Sequence, residues 1–159
     1  KAGVMKQDTD FTKPHRAKPA GKLSSFIRMT YYWVDYLIGM PYLLRKEVKA
    51  ERYTIFDRYI FDFVVDPKRA RISLPYWMRK MFARMVIQPQ IVFVLNTEAD
   101  VIYKRKQELE LNEIKRQLDE FNKIESLCSN VVYIDAGQSV DEMTTQAIKI
   151  IFDKFLNKI

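Results

Sequence analysis

Cysteine, histidine and glycine are all scarce in this 159-residue chain, which has one Cys, one His and four Gly. Cys128 has no cysteine to pair with, which excludes a disulfide framework and a cysteine metal site. The lone thiol reads as a small buried apolar residue of a cytoplasmic protein. His15 stands in a polar stretch between prolines and reads as loop, not as a general base. No apolar run approaches the roughly 18 residues a membrane span needs, and the start has no signal-peptide pattern. The glycine shortage excludes most. A phosphate-cradling Walker A loop needs glycines around a Lys and a Ser or Thr, so that backbone N–H groups can surround the phosphate. Only Gly3, Gly21, Gly39 and Gly137 exist, and only Gly21 precedes a lysine. Gly21-Lys22-Leu23-Ser24 follows no buried strand and lacks the earlier glycine, so it is not such a loop. The chain begins at Lys1, and a trimmed or partial N-terminus is expected.

What is present is the composition of a globular α/β domain, 48% apolar and 30% charged. The net charge of +7 is unevenly placed. Residues 1–90 hold 18 Lys and Arg against 8 Asp and Glu, whereas residues 91–159 hold 9 against 12. A basic half suits phosphate-bearing partners, whether small nucleotides, polyanions or an anionic surface. Its basic residues are scattered among apolar ones rather than gathered in a run, which argues against nucleic acid.

Residues 1–22 lack periodicity and read as an N-terminal arm or loop; the α/β domain is expected over 23–159. From Leu23 to about Glu51 the pattern is helical, with Ser24 or Ser25 as N-cap. Gly39-Met40-Pro41 should split it into two helices or kink one. Tyr53-Thr-Ile-Phe-Asp57 is β-prone. A basic loop around Asp66-Pro67 leads to a helix from about Leu74 to Ile87. Ile91-Val-Phe-Val-Leu95 has the apolar run of a strand buried on both faces. Thr97 with Asp100 resembles a capping box for a helix through Leu109, and Asn112 caps another to about Leu127. Val131-Val-Tyr-Ile-Asp135 is a third strand. Ser139 with Glu142 forms a capping box for a last helix to about Asn157, with Ala147, Ile148, Ile151 and Phe155 on its apolar face. Alternating strands and helices predict a parallel sheet with ligands at the carboxyl ends, near Asp57, Asn96 and Asp135.

Phe56-Asp57-Arg58-Tyr59 resembles the Asp-Arg-Tyr motif of thymidylate kinases. The segment from Thr97 through Lys104, Arg105 and Lys106 to Arg116 and Gln117 resembles their lid region. Val131 to Ser139 resembles their final strand and turn. Over about residues 15–155, His15-Arg-Ala-Lys-Pro, Arg28 with Tyr31-Tyr32 and Asp35-Tyr36, and Asp66-Pro-Lys-Arg complete the likeness. The group it most resembles is the thymidylate-kinase-like proteins of bacterial surface-polysaccharide gene clusters.

The resemblance implies a P-loop NTPase-like, three-layer parallel sheet that lacks its first strand and phosphate loop. It implies a nucleotide or nucleoside kinase using ATP and Mg, with no protein metal site named. In that reading Asp57 orients the metal or acceptor and Arg58 grips the acceptor phosphate. Lys104, Arg105 and Arg116 cover the transferring group. Arg28 and Tyr59 serve the acceptor, with either Phe26 or Tyr32 supplying a ring against its base. Ala136 and Gly137 lie by the adenine. Two other readings stand beside it: a degenerate kinase fold acting as a non-catalytic partner-binding module, and, more remotely, a nucleic-acid-binding domain. In the family the first strand lies between the strand ending at Asp57 and that at 91–95. Self-association or a missing N-terminal segment is therefore expected to complete the sheet.

Overall fold

The computed structural model describes residues 20–155. The expected arm at 1–22, and His15 with it, lies almost wholly outside them. A single helix, α1 (Lys22–Lys49), opens the described chain with Pro41 inside it. The expected interruption at Gly39-Met40-Pro41 therefore leaves one helix, not two. A proline forfeits one N–H bond and crowds one carbonyl, which a 28-residue helix packed along one face tolerates. The start also differs from expectation. Gly21 occupies the cap position, and Ser25 is fully buried inside the first turn. Its hydroxyl donates to the Ala20 carbonyl at 3.1 Å and accepts the Ser73 N–H at 3.0 Å, fastening α1 to the segment before the third helix. At the far end Arg52 N–H reaches Glu47 O (3.0 Å) and Glu51 N–H reaches Val48 O (3.1 Å), with Glu51 left-handed at φ 53°. That pair of bonds is a Schellman closure with glutamate where glycine is usual.

A short helix not foreseen from sequence, α2 (Asp62–Val65), follows, then α3 (Tyr76–Arg84), shorter than the expected 74–87. Strand β1 (Val92–Asn96) leads to α4 (Ala99–Arg105). Glu98, not Thr97, holds the cap position of α4, without a side-chain cap, and the helix stops short of Leu109. In α5 (Leu111–Asn122) Glu110 occupies the cap position, with Asn112 already inside. A 3₁₀ turn (Ile124–Ser126), strand β2 (Val131–Asp135) and α6 (Val140–Phe155) complete the order. The Ser139–Glu142 capping box forms as expected: the Ser139 N–H donates to Glu142 Oε2 at 2.9 Å, and the Glu142 N–H donates to Ser139 Oγ at 3.3 Å.

Strands β1 and β2 pair in parallel, from Val92 beside Val131 to Asn96 beside Asp135. The fold is mixed helix and strand around this small parallel sheet. The expected strand at 53–57 is not one. Its backbone finds no sheet partner among the described residues, and Ile55 is 87% exposed. An extended segment becomes a strand only when a neighbour takes its N–H and C=O groups. For the same reason β1 is an edge rather than an interior strand: Val94 is buried, but Leu95 is 59% exposed. The core gathers Met29 of α1, Ile60, Val64, Phe82, Val94 and Ile124, with Cys128 buried as expected. Helix α6 has no buried residue, and Ile148, placed on its apolar face from sequence, is exposed. No described helix is long and apolar enough to cross a membrane.

Candidate functional site

The parallel register ends with Asn96 beside Asp135, and there an open cleft of about 680 Å³ forms. Strand ends contribute Asn96, Thr97, Asp135 and Gly137, and one face of α5 contributes Lys115, Asp119 and Asn122. Asn96 Nδ2 donates to Asn122 Oδ1 at 3.1 Å, tying the sheet to that helix. Beyond β2 the ladder continues one step, Ala136 N–H to Asn96 O at 2.8 Å, and then the chain turns. The turn is held by the Asp135 carboxylate, which accepts the Gly137 N–H at 2.7 Å. A Cβ on Gly137 would stand 2.9 Å from that Asp135 oxygen and 3.4 Å from Thr97 Oγ1, so a side chain there would displace the Asp135 carboxylate from the turn. From the last turn of α4, Arg105 donates to the Ala136 carbonyl at 2.6 Å and to that of Gly137 at 3.5 Å. Three residues singled out from sequence thus meet at one mouth.

The remaining basic candidates do not join them. Lys104 is exposed and makes no ion pair among the described residues. Arg116 is engaged elsewhere: its guanidinium donates to Glu113 Oε1 at 2.7 Å and to the Val65 carbonyl at 2.9 Å. Lys68 reaches the other Glu113 oxygen at 2.9 Å. Burial pushes the Glu113 carboxyl up, but the bonds from Arg116 and Lys68 outweigh it and hold the group at about 2. An unfolded glutamate titrates near 4.3, so this group stabilises the fold fully above that pH. Its contribution is lost as pH falls from about 4.3 through about 2. Urea unfolding between pH 5 and pH 2 should fall more steeply for the parent protein than for Glu113→Gln. Parallel slopes would remove Glu113 from the acid response.

The Asp-Arg-Tyr segment lies in irregular chain before α2. Asp57 is exposed, and Arg58 pairs with Asp62 at 2.8 Å with 55% of its side chain open to solvent. Burial pushes the Asp62 carboxyl up, an effect its ion pair with Arg58 only partly offsets. Tyr59 is structural. Its hydroxyl donates to the Ile87 carbonyl, its ring packs on Tyr36 with centroids 5.0 Å apart, and burial pushes the phenol up to about 12. Tyr32 stacks on Phe63 at 4.8 Å beside a second hollow, about 380 Å³, lined also by Asp35, Tyr36 and Met40. Arg28 is half-buried on α1, and its side chain has no hydrogen-bonded partner among the described residues. Phe26, the other ring considered, packs edge-on against Phe82 at 6.1 Å.

Sequence reasoning missed the α5 contribution and Arg79, a residue of α3 whose guanidinium donates to the Phe63, Val64 and Leu74 carbonyls. The spacing of Lys115, Asp119 and Asn122 at helical intervals was the available signal for the first. ATP and Mg, implied by the resemblance, do not suit these residues. The N–H groups of Ala136 and Gly137 are already bonded. Three carboxylates (Glu98, Asp119, Asp135) face one ammonium (Lys115) in the cleft. A triphosphate does not fit such a lining, and the magnesium that phosphate oxygens would share has no defined place. The asparagines, Thr97 and Asp119 instead suit hydroxyls and base edges. A comparison with protein-family models finds no match, and neither does a comparison with curated proteins.

Proposed function

We propose that this chain supplies the nucleoside-binding α/β part of a thymidylate-kinase-like phosphotransferase, with the cleft at the ends of β1 and β2 holding a nucleoside. The observation carrying this reading is Arg105 closing on the Ala136–Gly137 turn across 31 residues of sequence. It joins the helix that resembles the kinase lid to the turn that resembles the adenine site. The crevice at the carboxyl ends of parallel strands is where such folds take ligands. The acceptor side is assigned to the hollow of Tyr32, Asp35 and Tyr36, near the Asp-Arg-Tyr segment. Phosphate recognition is left to a phosphate loop that this sequence does not contain.

Calorimetry tests the division. Adenosine should bind weakly, and Mg-ATP no more than about threefold tighter, because the three carboxylates of the lining outweigh its one ammonium, Lys115. A micromolar, stoichiometric Mg-ATP site in this chain would overturn it. A second reading, a non-catalytic partner-binding module, is favoured by Arg116 being tied to Glu113 and Val65 instead of facing the cleft. It predicts no adenosine binding at all.

A further inference from the structure

Tyr32, Tyr36, Met40 and Leu43 follow one another at helical intervals and so share one face of α1, where they wall the second hollow. Phe63 of α2 closes it, stacked on Tyr32 at 4.8 Å with the two rings 20° apart. At about 380 Å³ the space suits a small molecule. Apart from the tyrosine hydroxyls its lining is apolar, with a single charged group, the carboxylate of Asp35. No lysine or arginine among the described residues lines it. The bare backbone of Gly39, one turn on, leaves room for that carboxylate, since a Cβ there would stand 3.1 Å from Asp35 Oδ1.

The charge of this hollow selects its occupant. Burial pushes the Tyr36 phenol up, and the Asp62 and Asp35 carboxylates add to the effect, so both acids stand near that ring. Arg58 answers Asp62 at 2.8 Å, whereas Asp35 has no ion pair and its carboxylate no hydrogen bond among the described residues. A phosphate or carboxylate inside the hollow would meet Asp35 with no cation to offset it. A neutral apolar ligand would cover the carboxylate and leave it unpaired. A small organic ammonium satisfies both parts of the lining. Its charge pairs with Asp35, and its carbon groups lie against aromatic rings whose faces attract cations.

We propose that the hollow of Tyr32, Asp35, Tyr36 and Phe63 is a binding site for a small molecule that carries an organic ammonium group. The proposal rests on the kinase reading only in making that molecule the acceptor. A phosphate on the same molecule falls to Arg58, which does not line the hollow.

Choline is the probe, and 3,3-dimethylbutan-1-ol, with carbon in place of the ammonium nitrogen, is its neutral match. Titrated into the 159-residue chain at equal ionic strength, both should move the backbone amides around Tyr32, Asp35, Tyr36 and Phe63. Choline should bind about tenfold tighter than the alcohol. Asp35→Asn should bring the two within about threefold, and Tyr32→Leu should weaken choline about fivefold. Asp141→Asn, in the first turn of α6, should change neither. Where Tyr32→Leu fails to fold, Asp35→Asn still decides, because it removes only a charge at an exposed position. The proposal is overturned by no choline response, by equal binding of the two probes, or by a preference that survives Asp35→Asn. Choline shifts spread over acidic residues elsewhere overturn it too. Adenosine shifts at Gly137 report the kinase reading separately, so their absence beside a choline response at the hollow removes that reading alone.

Discussion

Replacing Arg79 with alanine lowers the unfolding free energy by about 3 kcal/mol, through carbonyls left buried without donors. Helix α2 is a four-residue helix, too short to satisfy its own carbonyls. Arg79 reaches back from α3 and donates to the carbonyls of Phe63 (3.2 Å), Val64 and, through Nε, Leu74 (3.1 Å). Arg116 takes the next carbonyl of α2, that of Val65. Two guanidiniums therefore hold the end of α2, and with it the chain that follows Asp57-Arg58-Tyr59. Burial depresses the pKa of Arg79, yet the group stays charged because an arginine begins so high. Urea unfolding checks the loss, and Arg79→Lys should recover only part of it, since an ammonium lacks the planar fork. A loss under about 0.5 kcal/mol would mean that water replaces the guanidinium.

In a chain that carries a phosphate loop ahead of this part, Arg58→Ala should reduce turnover on the order of 100-fold, while Lys68→Ala changes it less than about threefold. Both residues are basic and both belong to ion pairs, so charge alone does not separate them. The guanidinium of Arg58 is half open and, among the described residues, bound to Asp62, from which it would swing to an acceptor phosphate. Lys68 is as open, at 53%, but it shares Glu113 with Arg116 and stands outside the Asp-Arg-Tyr segment, so the prediction rests on the motif and not on exposure. Initial rates with saturating ATP read the difference, after circular dichroism has shown both variants folded. Equal losses would remove the Asp-Arg-Tyr assignment and favour the non-catalytic module.

Features fixed by local chemistry were legible in the sequence. Strands β1 and β2 stand where their apolar runs lie, and the Ser139–Glu142 box caps α6 because both partners are three residues apart. The turn at Ala136–Gly137 was named through the resemblance instead, and it stands directly after β2. What depends on a distant partner was not legible. The segment at 53–57 has strand composition, but pairing decides strands, and no neighbour takes it up. Pro41 looked like a break because the sequence does not reveal that the surrounding turns pack along one face. Nothing near Arg79 or Arg116 announces that each will end on carbonyls 15 and 51 residues away. Arg116 read as a phosphate ligand since a basic helix face looks the same in sequence whether it meets solvent, substrate or the end of another helix.

Backbone amide shifts on titration with adenosine test the nucleoside site most directly. The account predicts perturbations confined to Thr97, Arg105, Asn122, Asp135 and Gly137, all at or beside the cleft. Gly137→Val should weaken them while the rest of the spectrum keeps its dispersion, because the added carbon displaces the Asp135 carboxylate that holds the turn. Perturbations gathered instead around Tyr32 and Tyr36, or an unchanged response in Gly137→Val, would contradict the assignment of the strand-end cleft.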